Sequence, residues 1–457
     1  MHDHDRDIEI LTQAIVRYSV ERVRLDPPLD HARTAAQLRA MVGETITARG
    51  IGGLEALRIF SEVLAPSTIS VDHPKFLSFV PAAPTEAAIL FDLVVGASSI
   101  FAGSWMEGAG AVFAENRALR WLADLVGLPA QAGGVFVSGG TAGNLSALIA
   151  ARYRWRHDSH GVNDRVRGLI LCSTGSHSSI ASAARAMDAD LVKVPADERG
   201  RLHGDDLQRV IDEMTDEDRA RIFAIVATSG TTNAGVIDDL QGAGDAARRA
   251  DIWFHVDGAY GGAALCSPTA RAKFVGIEQC DSFIVDPHKW LFAPFDCCAL
   301  LYRDPEIARA AHTQQAEYLD VLHDETTQDV EWNPSDYAHH LTRRARGLPF
   351  WFSLATYGTN KYARAIDITL ELTRGVADLI NEAEHLELLL EPELSIVMFR
   401  RIDWTPAQYQ AWSDTQLLAG IAFVVPSSWL GETVLRLCFV NPLTTLEQVA
   451  EIVASLQ

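Results

Sequence analysis

Four short segments of this 457-residue chain carry side chains able to do chemistry, and each follows an apolar, β-prone run. The first is Ser138-Gly139-Gly140-Thr141-Ala142-Gly143-Asn144, ahead of a helical pattern. A glycine-rich turn feeding a helix N-terminus offers unpaired N–H groups and a positive dipole end to an anion. It has neither the Lys of a Walker loop nor GxGxxG spacing, so it suits a single phosphate; a plain tight turn is the alternative. The second, Trp253-Phe254-His255-Val256-Asp257-Gly258-Ala259-Tyr260, ends a strand in a carboxylate. Such an Asp is a turn former or a buried anion facing a ring nitrogen. The third, Phe283-Ile284-Val285-Asp286-Pro287-His288-Lys289-Trp290, sets a lysine among aromatic residues. A surface Lys snorkels to water. Here Trp290, Leu291, Phe292 and Phe295 are expected to desolvate the amine, lower its pKa and make it a Schiff-base nucleophile. The fourth, Ser173-Thr174-Gly175-Ser176-His177-Ser178-Ser179, offers an imidazole as a helix cap or as a flat surface for a planar cofactor.

Taken together, a phosphate cradle, a carboxylate, an imidazole and a desolvated amine meet the needs of pyridoxal 5′-phosphate (PLP). Its phosphate takes a helix N-terminus, its pyridinium nitrogen a carboxylate, and its aldehyde a lysine. The elements that must bring these groups together are legible as a pattern. Apolar runs at 135–137, 169–172, 191–194, 222–228, 252–256, 283–285 and 299–302 alternate with helical intervals. That alternation predicts an α/β fold whose central, mostly parallel sheet is covered on both faces. Ligands of such sheets sit at the carboxyl ends of the strands, which is where all four segments fall.

The flanks read differently. Residues 1–75 form helical patterns at 8–23, 31–49 and 53–64, with Ile8, Leu11, Ile15, Tyr18 and Val23 on one face that must pack on the main body or a second subunit. Residues 303–345 are polar and irregular, a candidate mobile segment. Residues 350–379 read as one long helix, 395–399, 421–425 and 434–440 as strands, and 444–456 as a closing helix. The organisation expected is an N-terminal helical dimerisation segment (1–75), a large α/β domain (76–345) and a small α+β domain (346–457).

Asp257-Gly258-Ala259-Tyr260, followed 32 positions after Asp257 by Lys289 in Asp286-Pro287-His288-Lys289-Trp290, resembles the group II PLP-dependent amino-acid decarboxylases. The likeness runs from His73-Pro74-Lys75-Phe76 to Leu435-Arg436-Leu437-Cys438-Phe439. It includes Ala227-Thr228-Ser229-Gly230-Thr231-Thr232, Phe295-Asp296-Cys297 and Arg343-Arg344-Ala345-Arg346-Gly347-Leu348. The resemblance implies the fold type I architecture of PLP-dependent transferases and a carboxy-lyase that converts an L-amino acid to its amine and CO₂. By it, Lys289 carries the Schiff base, Asp257 pairs with the pyridinium nitrogen and His177 stacks on the ring. Gly140, Thr141 and His288 help hold the phosphate, with Asp286 near it where some relatives carry Asn; Thr228 and Ala259 lie against the ring. Phe79 and Trp105, with Phe76 and Pro81, would face the side chain of the substrate, and Thr342 precedes Arg343 at a position bearing on selectivity. The apolar set favours an aromatic substrate; acidic ones stay open through Arg343, Arg344 and Arg346. Relatives also carry a Tyr on a loop shortly before the Arg-Arg-x-Arg segment, which protonates the carbanion. Counting back from Arg343 gives Trp332, Asn333 and Pro334, with Tyr337 nearer. Without that Tyr, O₂ would intercept the carbanion and an aldehyde would result. A homodimer with its site at the interface is implied as well.

Composition bounds the rest. At 48% hydrophobic and 22% charged the chain is an ordinary globular sequence. A net charge of −21 repels phosphate backbones and anionic membranes, excluding nucleic-acid and membrane-surface partners. The six cysteines show no CxxC pair or zinc spacing, so no metal site is expected; buried free thiols point to a reducing compartment. The polar N-terminus carries no apolar h-region, and the 87–106 stretch is broken by Asp92, so a cytoplasmic protein is expected.

Overall fold

Each apolar run becomes a strand of one seven-stranded sheet: β1 Gly133–Val137, β2 Leu169–Ser173, β3 Asp190–Val194, β4 Ile222–Thr228, β5 Trp253–Asp257, β6 Ser282–Val285 and β7 Cys298–Tyr302. The computed structural model describes residues 5–24, 28–158, 166–314 and 332–457. The strand order is β1-β7-β6-β5-β4-β2-β3. β2, β3, β4, β5 and β6 pair in parallel, and β7 runs antiparallel to both its neighbours. Every residue of β1, β2, β4, β5, β6 and β7 is buried. That is why these strands read as unbroken apolar runs: helices cover both faces, and neither face has to suit water.

A second sheet, β10-β11-β9-β8, is antiparallel throughout and lies near the C-terminus. Its strands are β8 Leu386–Leu390, β9 Ile396–Arg401, β10 Ser427–Trp429 and β11 Glu432–Cys438. Its own core joins Val397, Phe399, Leu435 and Leu437 to helices Thr359–Glu382 and Leu446–Ala454. The segment after residue 73 is tied to this sheet, since Leu77 N–H donates to Phe423 O and Cys438 N–H to Leu77 O.

Several expectations need correction. The long helix expected at 350–379 is two, Leu348–Tyr357 and Thr359–Glu382. Gly358 separates them at φ +75°, a left-handed turn that a glycine makes without a Cβ clash. Residues 421–425 form no strand; Phe423 makes a single bridge to Phe76, and the hydrogen-bonded ladder begins at β10. β8 was not foreseen: its residues, Leu386-Glu387-Leu388-Leu389-Leu390, drop the alternation after Glu387, and the run abuts a long helix. The helix expected at 31–49 is confined to Ala35–Val42, opened by a capping box at Thr34 and Gln37. Within 303–345, Pro305–His312 is a helix, and residues 315–331 lie outside the described ones. No helix among the described residues is long and apolar enough to cross a membrane.

The end of the Arg-Arg-x-Arg segment is fixed by a buried ion pair. Arg343 donates to Glu115 at 2.7 and 3.0 Å, and to the carbonyls of Ala102 and Phe136. Glu115 also takes the Gly347 N–H at 2.7 Å. Both side chains are at most 3% exposed, so removing one strands a charge in low dielectric. Arg343→Leu should therefore cost about 3–5 kcal/mol of stability, read as a lower denaturant midpoint; a variant as stable as the parent would contradict this account.

Candidate active site

At the carboxyl edge of the sheet, four strand ends and one helix start surround a cavity of about 430 Å³. Its walls include Gly140, Thr141, His177, Thr228, Asp257 and Ala259, with Asp286, His288 and Lys289 opposite. The parallel register brings them together, because Thr228 and Asp257 are paired partners at the ends of β4 and β5. All twelve expected site positions lie among the described residues. Eight residues outside the substrate set, plus His177, line this one cavity. The three substrate residues do not line it: Phe79 is exposed at φ +54°, Trp105 opens the helix Trp105–Val126, and Thr342 is exposed.

The phosphate cradle is the start of helix Gly140–Asp158, whose first N–H groups have no intrahelical acceptor. A Cβ at Gly140 would stand 3.2 Å from both the Ala259 Cβ and Asp286 Oδ2, so glycine keeps the floor of the cradle open. His177 caps the helix Ser178–Ala186; its Nδ1 accepts the Ser179 N–H. The turn after β4 needs Gly230, at φ +117°, where a Cβ would lie 2.8 Å from Gly261 Cα.

The lysine is held differently from the expectation. Lys289 Nζ sits 2.8 Å from Asp286 Oδ2. Desolvation pulls the ammonium pKa down, but the charge and hydrogen bond of Asp286, with help from Asp257, outweigh it, and the net shift is upward. The sequence reading weighed the apolar neighbours and missed the carboxylate three residues away. Burial likewise raises Asp286, yet the charges of Lys289 and His288 hold it below the usual carboxylate range. Burial lowers His288, whose Nδ1 accepts the Cys297 N–H, against the opposing pull of Asp286. The aromatic residues anchor the turn instead: Trp290 is fully buried, stacks on Tyr260 at 5.3 Å and donates to Thr369 Oγ1. Tyr260 in turn bonds Ser395 just before β9.

Two lining atoms lack any partner within the protein: Thr228 Oγ1 and Asp286 Oδ1 are buried and unbonded. A polar ligand is what such atoms await. Asn144, Thr232, Phe295 and Asp296 also line the cavity and were not foreseen as site residues. For Asn144 a signal existed, since it lies one helical turn beyond Gly140 and so returns to the same face. Arg343, Arg344 and Arg346 each pair with a carboxylate, Glu115, Asp92 and Asp296 respectively. Tyr337 does not line the cavity; it is buried against Trp332, and its carbonyl accepts the Tyr302 O–H.

Residues 55–402 match the pyridoxal-dependent decarboxylase conserved domain. The chain belongs to that family. It is 30% identical to the aromatic-L-amino-acid decarboxylase of Bacillus atrophaeus, over 92% of this chain and 88% of that one. It is 28% identical to an L-2,4-diaminobutyrate decarboxylase of Acinetobacter baumannii, over 92% and 86%. Among solved structures, Oryza sativa TDC with PLP and tryptamine superposes with a TM-score of 0.90 at 23% identity, covering 100% of this chain and 99% of that one. Mouse CSAD gives 0.89 at 25%, covering 98% of each. The protein is a PLP-dependent carboxy-lyase of fold type I, as the resemblance implied. The cavity fits that coenzyme: an anion cradle, a strand-end carboxylate, an amine and unpaired polar atoms share one wall-to-wall space.

The Asp286 pair makes a sign-definite prediction. The neutral amine is the nucleophile, and Asp286 holds Lys289 protonated to higher pH. Asp286→Asn removes the opposing influence, so desolvation prevails and the Lys289 pKa falls. The pH midpoint for PLP capture by the apoenzyme, followed by absorbance, should move down; an unchanged or higher midpoint would refute the role given to the carboxylate.

Proposed function

We propose that this family member decarboxylates aromatic L-amino acids, with Lys289 as the Schiff-base lysine, Asp257 as partner of the pyridine nitrogen and His177 against the ring face. The observation that carries the reading is the placement of Lys289 Nζ in a cavity whose other walls are Asp257 and a helix N-terminus. When bound, PLP supplies an electron sink for the pair left as CO₂ departs. Gly140 and Thr141 offer backbone N–H groups to the phosphate, with His288 beside them. Thr228 and Ala259 confine the ring between the ends of β4 and β5. Asp286 raises the Lys289 pKa while that amine is free.

Three arguments favour an aromatic side chain. The arginines that would receive an acidic one are already paired. Phe295 stands on the cavity wall with an exposed ring. The relative from Bacillus atrophaeus carries that activity in its name. The working unit is proposed to be a homodimer. No residue of the helix Arg6–Arg24 is buried in the single chain, and Leu90, Leu93, Val94, Met106 and Phe113 are exposed apolar groups on two further helices. A second copy is the natural cover for so much apolar surface, and Phe79, Trp105 and Thr342 would meet the substrate from that side. The six unpaired thiols, five of them buried, suit a reducing compartment, and the cytoplasm is the location we propose.

The test is a panel of aromatic, acidic and diamino L-amino acids scored together for CO₂, amine, aldehyde and peroxide. CO₂ and amine in equal amounts from an aromatic substrate are expected. Lys289→Ala should abolish both the turnover and the Schiff-base absorption band. Preference for glutamate or 2,4-diaminobutyrate would overturn the substrate class, and aldehyde with peroxide would overturn the product.

A further inference from the structure

Behind Asp257, side chains from one helix and two strands form a single file of hydrogen bonds. Asn144 Nδ2 donates to Asp257 Oδ2 and to Ser179 Oγ, each at 2.9 Å. With both amide hydrogens given away, Asn144 Oδ1 is left to accept, and His255 Nε2 stands 2.8 Å from it. His255 is fully buried on β5, two residues before Asp257, so both side chains leave the same face of the strand. On its other side, Nδ1 lies 2.8 Å from Ser282 Oγ, which accepts the Trp253 Nε1–H at 2.8 Å.

Every bond in this file has one permitted direction. A carboxylate only accepts and an indole only donates, so the two ends are set. Flipping the Asn144 amide would put an oxygen against the Asp257 carboxylate. Given that amide, the imidazole must carry its hydrogen on Nε2 and accept from the Ser282 hydroxyl at Nδ1. Burial lowers the His255 pKa to about 4, against the pull of Asp257, so the neutral ring that this pattern needs is the form present near neutrality. The remaining oxygen, Asp257 Oδ1, accepts the Ala259 N–H at 3.1 Å.

We propose that Asn144 and His255 are positioning residues that fix the orientation of the Asp257 carboxylate towards the pyridine nitrogen of the coenzyme. The proposal rests on the reading of Asp257 given above. Neither residue needs to reach the reacting atoms: Asn144 orients Asp257, and His255 orients Asn144. Deleting either leaves a buried acceptor unpaired and frees the carboxylate to turn.

The test compares holoenzyme of the parent with Asn144→Leu, His255→Leu and His255→Gln. The glutamine amide reaches the place of Nε2 and can still donate to Asn144 Oδ1. Two quantities are read: the apparent dissociation constant for PLP and the pH midpoint of the Schiff-base absorption. Both leucine variants should bind PLP about tenfold more weakly, the scale of one hydrogen bond to a charged group. Their midpoint should rise, because a less firmly held pyridinium charge repels the proton on the Schiff base less. His255→Gln should keep the parental midpoint and stay within about threefold in affinity. Where a leucine variant does not fold, His255→Asn serves, because its shorter amide reaches Ser282 but not Asn144; it should behave as the leucine variants do, and asparagine and glutamine acting alike would overturn the proposal. Parental affinity and midpoint in the leucine variants, with the parent showing a band that Lys289→Ala removes, would overturn it and leave the Lys289 reading standing. A parent without that band would overturn the reading itself.

Discussion

An ammonium group held in a buried cavity beside a carboxylate is the constraint on which the rest of this molecule depends. Lys289 is held charged by Asp286 2.8 Å away, against desolvation, which on its own would lower its pKa. A pair of this kind persists only if its surroundings hold both partners still. The turn that carries them is accordingly clamped from two sides. Trp290 binds it to the helix Thr359–Glu382 through Thr369, and Tyr260, stacked on Trp290, binds it to the second sheet through Ser395. On the other side Asp286 N–H donates to Ala259 O and Lys289 N–H to Asp286 O.

The parallel sheet supplies what no single segment could. Six of its seven strands end at one edge, so groups far apart in the chain share one space without long loops. Register does the fine placement: Thr228 opposite Asp257, and Asp257 opposite Ile284, two residues before Asp286. The polar file behind Asp257 carries side-chain hydrogen bonds in series through the apolar core. Its members are all satisfied, as a buried network must be if it is to rigidify its surroundings.

The second sheet and the helices at the rim have a different task. Arg343 and Glu115 lock the segment after 332 to β1 and to the helix Trp105–Val126. The pairing of Arg344 and Arg346 with Asp92 and Asp296 takes the remaining cations of that segment out of play. Phe295, on the cavity wall, keeps an exposed apolar ring.

Much of this was written in the sequence. Seven apolar runs, each followed by polar residues, dictate a two-sided sheet because only strands covered on both faces can dispense with alternation. Asp257, Lys289, His177 and the Gly139-Gly140 turn stand out because each is a functional group placed directly after such a run. Other features depend on three-dimensional neighbours. The upward shift of Lys289 turns on a side-chain distance, and the break at Gly358 on a backbone angle. The engagement of all three arginines, the burial of Tyr337 away from the cavity and the Asp257–Asn144–His255 file join residues as much as 252 positions apart, as Arg344 and Asp92 are. Local spacing encodes which elements form and what chemistry they carry. Which charges meet, and so which groups are left free to act, is decided only when the chain closes on itself, because Coulomb and hydrogen-bond energies depend on distances that sequence separation does not fix.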